Sequence, residues 1–339
     1  ALSYLFDVYN GKIEADKNFF RVALFMSFFP SIMEGPITRY SDTAENLFEG
    51  NKITYQNLCF GLQRILWGLF KKIVIADRLN ILVKTVFSGY MEYSGPVIFL
   101  GALSYTIMLY MDFSGAMDVV CGIGNIFNIN VPENFKQPFF SKNISEFWTR
   151  WHISLGTWFK DYIYIPLGGN RKGKFRKYFN IFVVWFLTGL WHGASWNFIL
   201  WGLYFGTILV IEKRFFLKFF EKHKIIGNMV TNILVVIGFV FFYNEKNILD
   251  IFIKMFTGRG ISFTNVSTNY YLLNYLVLLI ISFIACTPLL KNIINKCKKN
   301  KNLNIVISIV EPIVLIGLLV LSTAFIVDAS SNSFLYFRF

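Results

Sequence analysis

Charged residues are scarce in this chain. They make up 16% of its 339 residues, whereas a soluble domain carries about 25%. Hydrophobic residues make up 55%, and the mean hydropathy is +0.50. Four windows contain no Lys, Arg, Asp or Glu at all: Tyr93–Met111, Phe179–Ile211, Ile225–Tyr243 and Ser267–Leu290. Because about 20 apolar residues cross a bilayer core as a helix, the composition excludes a soluble globular protein and predicts a polytopic α-helical membrane protein.

Acidic residues are the scarcer of the two charge types. The chain has 20 Asp and Glu against 33 Lys and Arg, a net charge of +13. The basic residues are clustered in 136–177, 213–224 and 291–301. In a membrane protein such clusters mark short cytoplasmic loops, so the excess of positive charge does not indicate a nucleic-acid partner.

Motifs of metal sites and soluble enzymes are also missing. The four cysteines form no C-x-x-C pair and the three histidines are scattered, so we expect neither a disulfide framework nor a metal. There is no G-x-S-x-G elbow and no phosphate-binding loop. Thr157 stands five residues after His152, which excludes the H-x-x-x-x-D pattern of soluble acyltransferases. No secretory signal opens the chain.

Hydrophobic patterning predicts several different kinds of helix. Pro30, Gly35 and Pro36 interrupt Phe19–Ile37, which predicts a half-inserted element. The pattern over Leu58–Ala76 predicts a helix, with Lys71 and Lys72 as snorkelling anchors near its end. The remaining predicted elements are a span over Gly95–Met111, an amphipathic interfacial helix over Asn143–Pro166, a hairpin over Phe179–Ile211 broken at Gly189–Gly193, and spans over Ile225–Tyr243, Tyr270–Leu290 and Leu303–Val327, the last interrupted by Glu311–Pro312. We expect six to eight membrane segments.

His192 is the most conspicuous polar residue in the uncharged segments. At helical spacing it shares a face with Thr188, Gly189, Ser195 and Trp196, a small polar strip suited to a cavity. Burial favours the neutral imidazole, the form that a general base needs at pH 7. A histidine that merely bonds a backbone carbonyl at a helix break fits the same pattern.

Two other readings of the intramembrane polar residues stay open at this point. His152 lies among tryptophans and is equally compatible with packing and with chemistry, while His223 lies in a lysine-rich loop and is solvated. Intramembrane His and Asp also mark transporters; in that reading Asp112, Asp118, His152 and His192 line a pathway. From the residues alone, an enzyme and a transporter are equally supported, and a non-catalytic scaffold is a third possibility.

Five blocks of sequence carry a resemblance to a known family. They are SFFPSIMEGPITRY (27–40), MDFSGAMD (111–118), EFWTRWHISLGTWFKDYIYIPLGGNRKG (146–173), LTGLWHGASWNFILWG (187–202) and NSFLYFRF (332–339). In this order they resemble the membrane-bound O-acyltransferase (MBOAT) superfamily, in its bacterial alginate O-acetyltransferase-like branch. D-alanyl-transferring relatives share both histidines but usually lack the YIPLGGNRKG stretch.

The resemblance implies a fold and a set of site residues. The fold would be an all-α bundle of transmembrane helices, with interfacial and re-entrant helices around a central tunnel, forming one MBOAT domain over 1–339 that lacks the family's N-terminal helices. His192 would be the general base and His152 its partner. Substrate would contact the residues Trp191, Ser195, Trp196, Trp151, Arg150, Asp112, Asn170 and Arg171. The loop over 168–176 would meet phosphates of the donor, or be a plain cytoplasmic turn.

The resemblance also implies a reaction and partners. Acetyl-CoA or another acyl thioester would donate the acyl group, without a metal, and the acceptor would be an extracytoplasmic polysaccharide. The immediate partner would be an SGNH/AlgX-like acetyltransferase or a related secretion-complex protein, in a bacterial cytoplasmic membrane among membrane lipids. Transfer of D-alanyl or another acyl group to a cell-wall polymer is the alternative.

Overall fold

Helices make up nearly all regular structure in the computed structural model, which describes residues 1–32, 35–50, 52–243, 247–263 and 265–328. Within these ranges there is no β-strand, only one isolated bridge between Phe135 and Trp151. The all-α class predicted from the sequence is therefore confirmed. Met33 and Glu34 in the first sequence block, and the whole block at 332–339, lie outside the described residues.

Short helices form the N-terminal part of the chain. They are α1 (Leu2–Tyr9), α2 (Phe19–Met26), α3 (Phe29–Ile32) and α4 (Tyr40–Phe48). The predicted interruption is present, since α2 ends at Met26 and α3 is a single turn that contains Pro30. Asn18 caps α2 by accepting hydrogen bonds from the backbone N–H groups of Phe20 and Arg21.

A central helix organises the interior. Helix α7 (Gly95–Ile126) continues well past the predicted end at Met111, and 83% of its most apolar window is buried. It packs against α5 (Tyr55–Leu69), which passes through a π-helical segment (Phe70–Ala76) into α6 (Asp77–Ser88) without a break. Glycine permits this close approach, because a Cβ on Gly115 would lie 2.8 Å from the carbonyl oxygen of Gly68.

The prediction that Lys71 and Lys72 snorkel to a membrane surface is wrong. Both side chains are buried, and each ion-pairs with a carboxylate on α7: Lys71 Nζ lies 2.6 Å from Asp118 Oδ2, and Lys72 Nζ lies 2.6 Å from Asp112 Oδ1. Sequence spacing does not reveal that these carboxylates come from a helix about 40 residues later. A buried ammonium group needs such a partner, because leaving the charge unpaired is strongly destabilising.

The segment predicted as one interfacial helix consists of two short helices, so that prediction is wrong. Helix α8 (Ile144–Arg150) and α9 (Ile153–Phe159) are separated by a break at Trp151 and His152, and a π-helical turn (Lys160–Tyr164) follows. Their large apolar side chains are inside the protein core: Phe147 is 0% exposed and Trp151 is 5% exposed. Core packing therefore outweighs the amphipathic pattern.

A helical hairpin follows, as predicted. Helix α10 (Gly173–His192) and α11 (Trp196–Ile211) are joined by a three-residue turn, and the break lies at the end of the predicted Gly189–Gly193 interval. The two helices approach closely, since a Cβ on Gly202 would lie 2.3 Å from the carbonyl oxygen of Trp185. A π-helical turn (Glu212–Phe216) and α12 (Leu217–Lys222) come next.

Five further helices complete the described chain. They are α13 (Lys224–Tyr243), α14 (Ile248–Thr257), α15 (Val266–Ala285), α16 (Leu289–Cys297) and α17 (Lys301–Asp328); short 3-10 turns lie at Tyr90–Glu92, Pro138–Phe140 and Gly258–Gly260. Helix α17 runs through Pro312, so the predicted interruption at Glu311–Pro312 is wrong. Proline is tolerated in membrane helices because the freed backbone groups find other partners.

Four helices in the described ranges are long and apolar enough to cross a membrane: α7, α13, α15 and α17. This is fewer than the six to eight segments expected. Helix α11 has 16 residues, short of the roughly 20 that a bilayer core requires. The four helices differ in burial, because the most apolar window of α17 is only 6% buried whereas that of α7 is largely enclosed.

Candidate active site

Both candidate histidines line one cavity of about 420 Å³. Its walls come from α7, from the segment containing α8 and α9, from both helices of the hairpin, and from α13. Its volume lies within the range of typical small-molecule sites, about 300–1,000 Å³. The residues around it are mainly aromatic and aliphatic, with polar groups at separate positions.

His152 lies at the break between α8 and α9 with a left-handed backbone, φ +49° and ψ +53°. This conformation is uncommon for residues other than glycine and is found at functional sites where the surrounding structure enforces it. The imidazole packs edge-on against Phe113 of α7, with ring centroids 4.8 Å apart. The backbone break therefore brings the ring against the central helix, at the cavity wall.

Asn134 enforces that break. Its backbone carbonyl accepts a hydrogen bond from Ile153 N at 3.0 Å, and its side-chain Oδ1 accepts one from Ser154 N at 2.9 Å. These are the first two amides of α9, which have no partner within their own helix. Asn134 is 1% exposed, so it acts as a buried cap that is supplied by another segment and positions His152.

His192 is the last residue of α10. Gly193 follows with φ +148°, a conformation that side chains rarely adopt, and turns the chain toward α11. The imidazole packs edge-on against Trp201 of α11 and Phe242 of α13, with ring centroids 5.2 and 5.0 Å away. The helix end and these two aromatic rings hold His192 at the tip of the hairpin.

The environment keeps His152 neutral. Burial lowers the pKa of His152 to about 3, and the nearby His192 acts in the same direction because two charged imidazoles would repel. A neutral imidazole has one ring nitrogen free to accept a proton. Since both rings line the same cavity, both are placed for proton transfer there.

Three tryptophans form an aromatic wall between the histidines and the other end of the cavity. Trp148 lies 4.8 Å from Trp185 and 5.5 Å from Trp201, measured between ring centroids, and both pairs meet edge to face. All three line the cavity. Such a wall excludes water from the space next to the imidazoles.

The opposite end of the cavity is polar and basic. Lys160, Tyr164, Asn170 and Lys213 line it. The Tyr164 hydroxyl donates to Asn170 Oδ1 at 2.7 Å. Asn180 of α10 is fully buried and donates to the carbonyl oxygens of Leu167 and Gly169, which attaches this loop to the hairpin.

Family membership is decided by a match that includes this whole site. Residues 13–249 match the MBOAT, membrane-bound O-acyltransferase family. The chain belongs to the MBOAT family. Both histidines, the aromatic wall and the basic end all lie within the matched residues, and the chain is accordingly a membrane protein.

Curated relatives of this MBOAT protein act on several polymers. It is 41% identical over 247 residues to a probable alginate O-acetylase AlgI of Pseudomonas putida, covering 73% of this chain and 50% of the relative. It is 38% identical over 258 residues to a peptidoglycan O-acetyltransferase of Helicobacter pylori (74% and 49%). It is 31% identical over 229 residues to a teichoic acid D-alanyltransferase of Bacillus subtilis (64% and 57%). The chain thus spans about half the length of these relatives.

Four of the ten predicted site residues meet at the cavity of the MBOAT protein: His192, His152, Trp151 and Asn170. Trp191 and Trp196 instead lie on the outside of the hairpin tip, 50% and 72% exposed. The helix ends at His192, so Ser195 and Trp196 do not continue the polar face that helical spacing predicts. Whether the residues at the tip contact substrate stays a prediction.

Three other predicted residues lie away from the cavity walls. Arg150 ion-pairs with Glu146 through Nη2 and Oε1 at 2.6 Å. Asp112 is engaged by Lys72 on the α5–α6 side of α7. Arg171 is exposed on the loop that Asn170 also belongs to. The structure therefore does not bring these three charges to the histidines.

The sequence pattern predicts no role at the site for several of its residues. Asn134 lies in a segment without regular pattern, and Lys213 resembles any basic residue after an apolar helix. Trp148, Trp185 and Trp201 come from three different helices. Tryptophans are frequent in the sequence around both histidines, but only the packing shows which of them form one wall of the cavity.

The residues of the site do not form a metal centre. In the parts of the chain that the structure describes, no group of three or more His, Cys, Asp or Glu side chains is clustered to hold an ion. The two histidines instead face aromatic rings. The chemistry that the arrangement offers is proton transfer and exclusion of water.

Proposed function

We propose that this protein transfers an acetyl group from a thioester donor to a hydroxyl group of an extracytoplasmic polysaccharide. The observation that carries the proposal is the pair of imidazoles in one cavity behind an aromatic wall. The names of its relatives support acyl transfer to polymers, since they specify alginate, peptidoglycan and teichoic acid. Acetyl-CoA is the proposed donor.

A balanced reaction needs only the donor, the acceptor and an imidazole. A ring nitrogen of His192 takes the proton from the acceptor hydroxyl as its oxygen attacks the thioester carbonyl carbon. The carbon–sulfur bond then breaks, the acyl–oxygen bond is complete, and the departing thiolate takes the proton from His192. General base catalysis of this kind contributes about 10²–10⁴-fold. His152 would position the donor or share the proton.

Charge at the two ends of the hairpin supports a direction for this transfer. Basic residues follow α11, from Lys213 onward, and also stand at the start of α10, and clustered basic residues favour the cytoplasm. The donor would therefore enter at the basic end. His192 at the hairpin tip would meet an acceptor that arrives from the other face, supplied through an SGNH-type partner at the bacterial cytoplasmic membrane.

Ion pairing argues against the transporter alternative. That hypothesis requires Asp112 and Asp118 to line a pathway together with the histidines. Instead Asp112 pairs with Lys72, and Asp118 pairs with Lys71 and Arg64, and neither carboxylate lines the cavity. D-alanyl transfer remains the second candidate, favoured by the similarity to a teichoic acid D-alanyltransferase.

The test is acetyl transfer by the purified protein in proteoliposomes. Acetyl-CoA is supplied on one face and alginate, peptidoglycan fragments or teichoic acid on the other, each with and without a purified SGNH-type acetyltransferase. Thiol release and acetylated polymer are measured. We expect His192→Ala to lower transfer at least 100-fold, whereas the matched control His223→Ala, in the lysine-rich loop, keeps the wild-type rate.

Two results would contradict the proposal. Wild-type transfer by His192→Ala would refute the role of the imidazole, provided that the variant inserts and unfolds at the same temperature as the wild type. Movement of solute across the vesicle without any thiol release would favour a transporter instead.

A further inference from the structure

A short segment of the chain, the clamp segment (133–136), runs antiparallel to the break that carries His152. Before the break, Lys136 N donates to the carbonyl oxygen of Arg150 at 2.9 Å. After the break, Asn134 accepts hydrogen bonds from the first two amides of α9. The clamp segment is thus bonded to the chain on both sides of His152. The left-handed backbone of that residue, which the surrounding structure must enforce, therefore depends on where the clamp segment lies.

Contacts with the central helix hold the clamp segment only in part. Val131, two residues before it, is buried in a small cluster with Cys121 of α7 and Phe28. Asn134 Nδ2 donates to the sulfur of Met117 on α7 at 3.4 Å, and a thioether sulfur is a weak acceptor. Apolar packing has no preferred direction, so neither contact fixes the segment as a charged hydrogen bond would.

Glu133, the first residue of the clamp segment, has the strongest attachment. Arg64 of α5 donates to it twice, from Nη1 to Oε1 at 2.7 Å and from Nη2 to Oε2 at 2.6 Å. Two parallel bonds between a guanidinium and a carboxylate fix the geometry as well as the charge. Arg64 also donates from Nε to Asp118 Oδ1 on α7 at 3.1 Å. The carboxylate of Glu133 is therefore tied to two helices of the core.

This ion pair is too exposed to be explained by stability. The side chain of Glu133 is 48% exposed and that of Arg64 is 25% exposed, and ion pairs near the surface contribute little to the free energy of unfolding. Adjacent Cα atoms are about 3.8 Å apart, so a displacement of Glu133 is passed directly to Asn134. The main consequence of the pair is thus where it holds the cap of α9.

We propose that Glu133 is a positioning residue for His152. Its bidentate ion pair with Arg64 fixes the clamp segment, and the clamp segment fixes the imidazole at the cavity wall. The effect on catalysis rests on the proposed function, whereas the effect on the position of the ring does not. A carboxylate outside the cavity thereby acts on the site through the backbone.

Acetyl transfer from acetyl-CoA in proteoliposomes tests the catalytic part. We expect Glu133→Gln to lower kcat about tenfold, since small misplacements of a reacting group have effects of this size or larger, with the KM for acetyl-CoA within about twofold. Its unfolding temperature should equal that of the wild type. Glu133→Asp keeps the carboxylate and should restore most of the rate.

The matched control is Glu311→Gln on α17. It removes one partner of the Lys298–Glu311 ion pair, in which Glu311 is 35% exposed, and it lies outside the cavity walls. We expect this variant to keep the wild-type kcat. Equal kcat values for Glu133→Gln and the control would overturn the catalytic part of the proposal.

The position of the ring can be measured without turnover, which separates this proposal from the proposed function. The imidazole of His152 lies edge-on to Phe113, with ring centroids 4.8 Å apart, so the aromatic ring shifts the NMR signals of the imidazole protons. The chain contains three histidines. Protein with labelled histidine therefore gives three sets of signals, which the variants His152→Asn and His223→Ala assign.

The expected change in these spectra is local. Glu133→Gln should move the signals of His152 and leave those of His223 in place. Arg64→Lys should move the same signals, because lysine keeps the charge but cannot form the bidentate pair. Movement at His152 supports the positioning role even if no acetyl transfer is detected. Unchanged His152 signals in both variants, or equal changes at His152 and His223, would overturn it.

Discussion

Two regions of this protein differ in how they pair their charged side chains. On one side of α7, the ion-paired seam (Arg64, Lys71, Lys72, Asp112 and Asp118) pairs each of its charges with an opposite charge, with nitrogen–oxygen distances of 2.6 to 3.1 Å. At the basic end of the cavity, Lys160 and Lys213 line the wall, and neither forms an ion pair like those of the seam within the described residues, although the charge of Glu212 acts on Lys213. Charge inside a membrane protein is costly, so the first arrangement serves the fold, whereas the second keeps positive charge at the cavity.

Two buried carboxylates, Asp112 and Glu212, also differ in whether they belong to the seam or to the cavity. The family resemblance implies Asp112 as a substrate contact, and a carboxylate beside an apolar helix is unusual in itself. In the structure that carboxylate belongs to the seam. Glu212, which has the same charge and similar burial, supports the cavity by capping α8. The role of an intramembrane carboxylate can thus be assigned only once its partner is known.

Removing one partner in the seam should have the largest effect on stability. Lys72→Met leaves Asp112 buried next to an apolar side chain, and breaking a buried pair in this way costs about 3–5 kcal/mol. The double variant Lys72→Met/Asp112→Asn removes both charges and should recover much of the loss. Thermal unfolding in detergent, followed by circular dichroism, measures both. A single variant as stable as the wild type would show that the seam does not hold the fold together.

Enlarging the hairpin contact should have an intermediate effect. Gly202→Ala places a methyl group 2.3 Å from the carbonyl oxygen of Trp185, and overpacking of this kind costs about 1–3 kcal/mol. Because both helices contribute tryptophans to the aromatic wall, the proposed acetyl transfer should fall as well. Gly317→Ala on α17 is the matched control, since its Cβ meets nothing within 4 Å. Similar unfolding temperatures for the two variants would contradict the close packing.

Proton binding at His152 should have no effect on stability at neutral pH, and its effect is confined to acidic pH. Its pKa is about 3 in the folded protein against 6.5 in the unfolded chain. As the pH falls below 6.5, the unfolded chain binds a proton that the folded protein does not. Stability is therefore lost progressively between pH 6.5 and about 3, by at most about 1.4 kcal/mol per pH unit.

The measurement is the unfolding temperature at pH 7.5 and pH 5 in detergent. His152→Asn suits the left-handed backbone, because asparagine tolerates a positive φ, and it removes the titrating group. We expect a smaller decrease on acidification in this variant than in the wild type. Equal decreases would mean that the burial of His152 does not contribute to the pH dependence.

Patterns that depend on neighbours along the chain were predictable. The hairpin was expected from an uncharged stretch too long for one span, with small residues in the middle, and α10 and α11 confirm it. The pair of histidines was found because polar residues are rare in such surroundings. By contrast, the helical face assigned to His192, Ser195 and Trp196 fails, since helical spacing has no meaning beyond the residue at which a helix ends.

Contacts between distant segments were not predictable. Asn134 caps α9 from outside it and positions His152. Lys71 and Lys72 look like surface anchors until α7 supplies their carboxylates. In each case the partner lies 19 to 47 residues away along the chain, and a local sequence pattern cannot predict a partner at that distance.

By itself, the amino-acid sequence determined the class of this protein, because hydropathy and charge are sums over residues and require no coordinates. It also determined the family, through RWHISL and GLWHGASW. Only the tertiary structure decided which polar groups line one cavity and which form ion pairs with each other. The reason is that a side chain's role depends on the partner that folding brings within about 3 Å. His192 and His152 are separated by 40 residues and meet in one cavity, whereas Asp112 is engaged elsewhere.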